Sequence, residues 1–309
     1  MELLRAEHLT KVIKKKTIVE DLNFVINSGE IVGFLGPNGA GKTTTIKMIM
    51  GLFKITDGDV TICGSNLRED FEGAIRNIGG IIENPEMYKK MSGRDNLKYF
   101  ASMYDGISDE DIDQVVGLVK MRDRINDKVK TYSLGMRQRV GIAQAILHKP
   151  RLLILDEPTN GLDPLGIKEL RDLLKYLAKE AGTGVLVSSH LLSEMELMCD
   201  RIYVIDNGKM IGEKNIVDAE ENTDSLDSVY SYGFVTDDNE RVYEMFKTMN
   251  ANCDRTATEV TLVMKKKHIP DIIKKIVAKD ISIYCVNRSQ QSLEDQFLSM
   301  TTGTKEQII

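Results

Sequence analysis

Short apolar runs broken by glycine and charged residues fill roughly the first eighty positions. LLRAEHL, DLNFVI, EIVGFLG and GDVTICG each have the length and apolar content of a β-strand. A helical pattern interrupts them after Lys42. From about 86 to 130 the pattern turns helical and charged, as in RDNLKYFASMY and DEDIDQVVGLVKM. From 151 onward RLLILDE, PLGIKELRDLLKYLAKEA, TGVLVSSH, LLSEMELMCD and RIYVIDNGK alternate strand with helix, the pattern of a parallel sheet with crossover helices. DAEENTDSLDS at 218–228 is polar and acidic and reads as a linker. Beyond it YSYGFVT, ERVYEMFKTM, EVTLVMK, IPDIIKKIVAK and ISIYCVNR alternate again, and Ser292 with Asp295 fits a capping box opening a last helix. The expected organisation is an α/β domain over 1–217, a linker over 218–228, and a small α+β domain over 229–309 with no catalytic constellation.

Composition narrows the class. With 309 residues, 28% charged and 42% hydrophobic, the chain is of ordinary globular make-up and long enough for roughly two domains. No apolar run approaches the ~18 residues that cross a bilayer. The opening MELLRAEHLT, with Glu2, Arg5 and Glu7, is not a secretory leader, so a cytosolic chain is expected. Cys63, Cys199, Cys253 and Cys285 are far apart, with neither metal-ligand nor disulfide spacing, and are expected to be reduced and mostly buried. A net charge of −6 argues against a nucleic-acid partner. The two KKK runs, at 14–16 and 265–267, are explained as well by turns as by any ligand.

GPNGAGKT at 36–43 matches G-x-x-x-x-G-K-[ST], between the strand EIVGFL and the helix TTTIKMIMGL. Gly36, Gly39 and Gly41 allow the tight backbone that turns N–H groups toward a phosphate, with Pro37, Asn38 and Ala40 completing the loop and Thr44 following it. The helix start adds about half a positive charge. Lys42 can reach the β- and γ-phosphates, and the Thr43 hydroxyl suits Mg²⁺. In RLLILDEPTNGLDP, four apolar residues deliver Asp156 to the carboxyl end of a buried strand, the ligand end of an open α/β sheet. Asp156 is suited to hold Mg²⁺ through water, and Glu157 to polarise an attacking water. In YSLGMRQRVGIAQAILHKP, Ser133 looks like an N-cap for a helix from about Met136 to His148, and Gly135 leaves room for another molecule at its start. On local grounds alone an ordinary capped helix is the better explanation of that stretch.

Taken in order, the P-loop, the serine–glycine helix start, LILDEPTNGLD and VLVSSH resemble the ATP-binding cassette of ABC transporters over about 1–215. The resemblance implies a P-loop NTPase cassette fold with a RecA-like core, an antiparallel β subdomain and a helical subdomain over about 86–145 that meets a membrane partner. It implies binding and hydrolysis of ATP with Mg²⁺, and head-to-tail pairing of two cassettes. Ser133 and Gly135 would then face the γ-phosphate held by the other cassette, and Asn160, Gly161, Leu162 and Asp163 would form the loop crossing between the two sites. His190, ending the strand GVLVSS, matches the switch histidine that contacts the γ-phosphate.

Three positions depart from the family pattern. The signature usually reads Leu-Ser-Gly-Gly-Gln, and here Tyr132, Ser133, Leu134, Gly135 and Met136 take its place. The aromatic residue that stacks on adenine falls near Ile13, so adenine would rest on that aliphatic side chain or on another residue of its loop. In IIENPEM, where most members have glutamine, Glu83 ends an apolar run just before Asn84 and Pro85. Alone it would be a polar loop start. The resemblance places it beside the γ-phosphate and Mg²⁺, as a metal ligand with Thr43 and Asp156. Glu83, SLGM, SGRDNL and the ending LEDQFLSMT resemble cassettes that export, or confer immunity to, lantibiotics and bacitracin-like peptide antibiotics. The expected function is therefore the ATPase subunit of a peptide-antibiotic or drug exporter, peripheral on the cytoplasmic face of the membrane through separate permease subunits. The alternatives are a family ATPase acting in translation or DNA repair, and a nucleotide-binding regulator without turnover. The presence of Lys42, Asp156, Glu157 and His190 weighs against the latter.

Overall fold

The computed structural model describes residues 1–216, 229–249, 253–256 and 258–289. The expected linker at 218–228 and the helix opening at Ser292 lie outside the described residues. The chain divides into two compact units, Met1–Ile216 and Val217–Ile309.

The first unit carries two sheets. The antiparallel one, in the order β2-β1-β4-β5, is built from β1 (Glu2–Ile13), β2 (Lys16–Asn27), β4 (Asp57–Ile62) and β5 (Ser65–Asn66). Lys14 and Lys15, at φ 47° and 67°, make the two-residue turn between β1 and β2, so the first lysine run is a hairpin turn. The second sheet, in the order β10-β9-β3-β8-β7-β6, contains β3 (Ile31–Leu35), β6 (Ile78–Ile81), β7 (Leu152–Asp156), β8 (Gly184–Ser189) and β9 (Arg201–Asp206), with β10 (Lys209–Asn215) antiparallel at its edge. Every residue of β3, β7 and β8 is buried, as suits central parallel strands covered on both faces. Phe24 of the first sheet packs edge-on against Phe34 of the second at 4.8 Å between ring centroids, inside the core the two sheets share.

The helices of this unit are α1 (Lys42–Ile49), α2 (Phe71–Ile75), α3 (Gly93–Ala101), α4 (Asp109–Leu118), α5 (Leu134–Ile146), α6 (Pro164–Lys179) and α7 (Leu192–Met198). Capping boxes at Ser92–Asp95 and Ser108–Asp111 open α3 and α4, within the stretch that reads as helical and charged. Helix α5 begins two residues earlier than the expected Met136, directly on its cap Ser133. The α/β class and the parallel sheet with crossover helices agree with the sequence pattern. Among the described residues no helix is long and apolar enough to cross a membrane.

The second unit is α+β. An antiparallel sheet in the order β12-β13-β11-β14 comprises β11 (Val229–Thr236), β12 (Cys253–Arg255), β13 (Val260–Lys265) and β14 (Ile283–Ser289). Helices α8 (Asn239–Thr248) and α9 (Ile269–Val277) bury Val242, Met245, Phe246, Ile272 and Ile276 in one core with Tyr232, Phe234, Val260 and Leu262. The lysine run at 265–267 closes β13 and opens a short 3₁₀ turn before α9. The cysteine expectation needs correction. All are free thiols, but only Cys199 is buried; Cys63 and Cys253 are half-buried and Cys285 is exposed, because it lies on the sheet face opposite the helices.

Candidate nucleotide site

Three parallel strands end side by side and each delivers one part of the site. After β3 the P-loop turns through Gly36, where a Cβ would lie 2.1 Å from the Ile205 carbonyl oxygen, and Gly41, at φ 107°, before α1 begins. Both positions therefore exclude any side chain: the first by space, the second by backbone conformation. Gly36 N–H donates to Ser189 O at 3.3 Å, and Gly208 N–H to Ala40 O at 2.8 Å, fixing the loop to the β8 end and to the β9–β10 turn. Pro37, Asn38 and Gly39 are exposed, and a Cβ on Gly39 would meet nothing within 4 Å, so the rim of the loop is open. The Lys42 side chain is buried and folds back over the loop, donating to Gly36 O at 2.7 Å and Pro37 O at 3.3 Å. Thr44 is half-buried in the first turn of α1.

β7 delivers the acids. Thr43 Oγ1 donates to Asp156 Oδ2 at 2.8 Å. Glu157, at φ 49°, turns its carboxylate away from the strand. One oxygen stands 3.3 Å from Lys42 Nζ, and the other 2.9 Å from His190 Nδ1, which follows β8. The structure thus brings Lys42, Thr43, Asp156, Glu157 and His190 into one connected set. A loop that can be opened by moving one ammonium, with a hydroxyl and a carboxylate oxygen side by side, suits a polyphosphate with a hard divalent cation. Among the described residues no cluster of three or more His, Cys, Asp or Glu side chains forms a metal cage. Mg²⁺ in such a site takes few protein ligands beside phosphate and water, so Thr43 and Asp156 fit it.

The other expected site residues make their contacts outside this connected set. Glu83 is exposed and left-handed at φ 60°, and its carboxylate pairs with Lys47 of α1 at 3.1 Å, while Thr43 and Asp156 bond each other. The loop carrying it is seated by Pro85 on α5, where a Cβ added to Gly141 would come within 2.4 Å of the Pro85 ring. Ile13 stands with Val12 as a partly exposed aliphatic pair at the hairpin tip. Ser133 accepts Met136 N–H at 3.2 Å and caps α5. Asp163 caps α6 by accepting Gly166 N–H at 3.0 Å. Ser133, Gly135, Leu162 and Asp163 line one cleft of about 500 Å³, and no hydrogen bond joins Ser133 or Gly135 to the P-loop.

Two residues that support the loops around this set escape motif reading. Ser188 of β8 donates to Asp156 Oδ1 at 2.6 Å and accepts Glu157 N–H at 2.9 Å. Glu194 of α7 accepts from Thr159 Oγ1 at 2.5 Å and Ser189 Oγ at 3.4 Å, tying the loop after β7 to the end of β8. The visible signal for the first was a pair of serines ending an apolar strand just before His190.

The family profile described as ABC transporter matches residues 19–160. The ABC transporter ATP-binding protein YhcH of Bacillus subtilis (strain 168) is 51% identical over 99% of this chain and 98% of its own length. The chain belongs to the ABC transporter ATP-binding proteins. It is also 36% identical to the bacitracin transport ATP-binding protein BcrA of Bacillus licheniformis, over 97% of this chain and 98% of that protein. To the lantibiotic transport ATP-binding protein SrtF of Streptococcus pyogenes it is 42% identical, over 72% of this chain and 95% of that protein. The ATP-binding cassette MJ0796, solved as a dimer in a post-hydrolysis state with ADP and Pi, superposes with a TM-score of 0.63 at 26% identity, covering 69% of this chain and 99% of that one. The P-loop cassette fold and the activity follow: this is an ATP-binding, ATP-hydrolysing transport subunit, and the reading in translation or DNA repair is set aside.

Proposed function

We propose that this chain drives the export of a peptide antibiotic, lantibiotic or bacitracin-like, or of another drug, through separate permease subunits that hold it at the cytoplasmic face of the membrane. Two copies close on two ATP molecules, each P-loop of one copy facing Ser133 and Gly135 of the other, with Asp163 in the crossing loop. Residues Gly36–Thr44 hold the phosphates, and Ile13 or a neighbour at the hairpin tip supports adenine. Mg²⁺, held by Thr43 and Asp156 with Glu83 as a further oxygen donor, would offset phosphate charge. Lys42 leaves the Gly36 and Pro37 carbonyls for the β- and γ-phosphates, and this frees Glu157 from its ion pair. Glu157 then takes a proton from the attacking water, while His190 contacts the γ-phosphate. Closure moves the α3–α5 region and with it the permease. Residues 229–309 form an accessory domain outside the nucleotide motifs.

The observation that carries this reading is the placement of Glu157 between Lys42 and His190 beside the P-loop, in a chain related along nearly its whole length to a bacitracin transport subunit. The test is to co-express the full chain with candidate permease subunits from the same genome, purify the assembly, and measure ATP hydrolysis across a panel of peptide antibiotics and unrelated drugs. Stimulation several-fold above the basal rate by bacitracin or a lantibiotic is expected. Failure of any permease to co-purify, or stimulation by unrelated solutes alone, would overturn it.

A further inference from the structure

The end of the central sheet contains a strut that the nucleotide motifs do not account for. Ser188, near the end of β8, is fully buried and stands opposite Asp156 in the parallel pairing of β7 with β8. One hydroxyl carries one proton and two lone pairs, and here both functions are used. The proton goes to Asp156 Oδ1 at 2.6 Å, and the oxygen accepts Glu157 N–H at 2.9 Å. The remaining oxygen of Asp156 accepts from Thr43, so the carboxylate is held from β8 on one side and from α1 on the other. Glu157 needs the support more. Its φ of 49° is left-handed, a conformation that an L residue with a long side chain rarely adopts unless its surroundings enforce it. Without the serine oxygen, the N–H of that turn loses its acceptor at the sheet end.

We infer that Ser188 is a positioning residue for hydrolysis. It fixes Asp156 by one oxygen while leaving the Thr43-facing oxygen available, and it holds the left-handed turn that aims the Glu157 carboxylate between Lys42 Nζ and His190 Nδ1. The inference rests on Glu157 being the base. A buried serine that merely satisfies its neighbours would contribute to stability alone. A positioning serine is read in turnover and metal dependence at unchanged nucleotide binding.

The experiment compares Ser188→Ala, Ser188→Thr and Glu157→Gln in the full chain, following melting temperature, ATP affinity with and without Mg²⁺ by calorimetry, and kcat and KM. Ser188→Ala is expected to fold and to bind metal-free ATP like the wild type. Loss of a hydrogen bond to a charged group should lower kcat about tenfold or more, with KM within about threefold. Mg²⁺ should be needed at higher concentration, and Ser188→Thr, which keeps the hydroxyl, should recover most of kcat. Unchanged kcat and Mg²⁺ dependence in Ser188→Ala would overturn the inference. So would an alanine variant too unstable to bind nucleotide, or an ATP-binding threonine variant no faster than alanine. Glu157→Gln separates the two levels: if it turns over normally, the base assignment itself falls. If it stalls while Ser188→Ala does not slow, only the role of Ser188 falls.

Discussion

Two helix starts in this molecule involve glycine, one in the loop before α1 and one in the first turn of α5, and they use it for opposite reasons. At the start of α1 the chain's own backbone demands it: Gly36 has a carbonyl oxygen where a Cβ would go, and Gly41 sits at φ 107°. At the start of α5 nothing in the chain demands it. Gly135 has no left-handed torsion, and a Cβ there would meet only Leu162 at 3.5 Å, an ordinary contact. The first loop is also filled from within, by the Lys42 ammonium, whereas Ser133 at the second is exposed and bonds only its own helix. In the proposed head-to-tail pair the first would be a half-site complete in one chain, and the second a half-site open to the ligand held by the other copy.

The largest expected effect breaks the first half-site. Lys42→Ala removes the buried ammonium that caps the loop and pairs with Glu157. Loss of a charge-assisted contact to phosphate should weaken ATP binding roughly 10–100-fold, measured by calorimetry on the full chain. Unchanged affinity would contradict the P-loop assignment.

The second half-site should respond in a different quantity. Gly135→Ala replaces a helix glycine where a methyl fits, so the fold should lose nothing and gain up to about 1 kcal/mol. ATP affinity of the single chain should stay within a factor of about two, since residue 135 lies off the chain's own P-loop, while turnover at saturating ATP should fall several-fold. Light scattering in ATP should show less dimer, most clearly in a Glu157→Gln background that keeps ATP uncleaved. Equal turnover and equal dimerisation would show that Gly135 faces no partner.

How far each part could be read from sequence depends on how local its cause is. The P-loop and the Asp156–Glu157 pair are runs of adjacent residues whose spacing alone carries the chemistry, so they were legible. Helices α3 and α4 were legible as a helical, charged stretch, though their capping boxes show only in the structure. Helix α2 was not: it has five residues, begun by Asp70 accepting Gly73 N–H, and is too short to show a period. β12, with three residues, escaped likewise. Strands β1 and β2 run beyond their apolar segments, because the ladder continues through polar hairpin residues toward Lys14 and Lys15. Ser188 was illegible as a support because its role depends on which β8 residue the parallel sheet sets opposite Asp156, and register across a crossover is not written in either strand. The Lys47 partner of Glu83 lies 36 residues away for the same reason.

Glu83 provides the smallest and sharpest test, because it and its loop touch both helices, in the last turn of α1 and midway along α5. Its carboxylate pairs with Lys47 of α1, and its loop rests through Pro85 on α5 at Gly141. At 66% side-chain exposure that ion pair is weakly held, worth no more than about 1 kcal/mol, so exchange of Lys47 for a metal ion costs little. A carboxylate is a hard anionic donor for Mg²⁺, and glutamine offers only a neutral oxygen. In the wild type, Mg-bound ATP should therefore be preferred over metal-free ATP more strongly than in either variant. Glu83→Gln should keep part of the transport activity. Glu83→Ala should hydrolyse ATP with transport partly uncoupled, because nothing then ties the Pro85 loop to the nucleotide side. The melting temperature should shift little in both, since only an exposed pair is lost. Measured in the assembly with its permease, unaltered Mg²⁺ dependence, ATPase rate and drug protection in Glu83→Ala would leave Glu83 as a loop acid paired with Lys47, and α1 and α5 without a functional link through it.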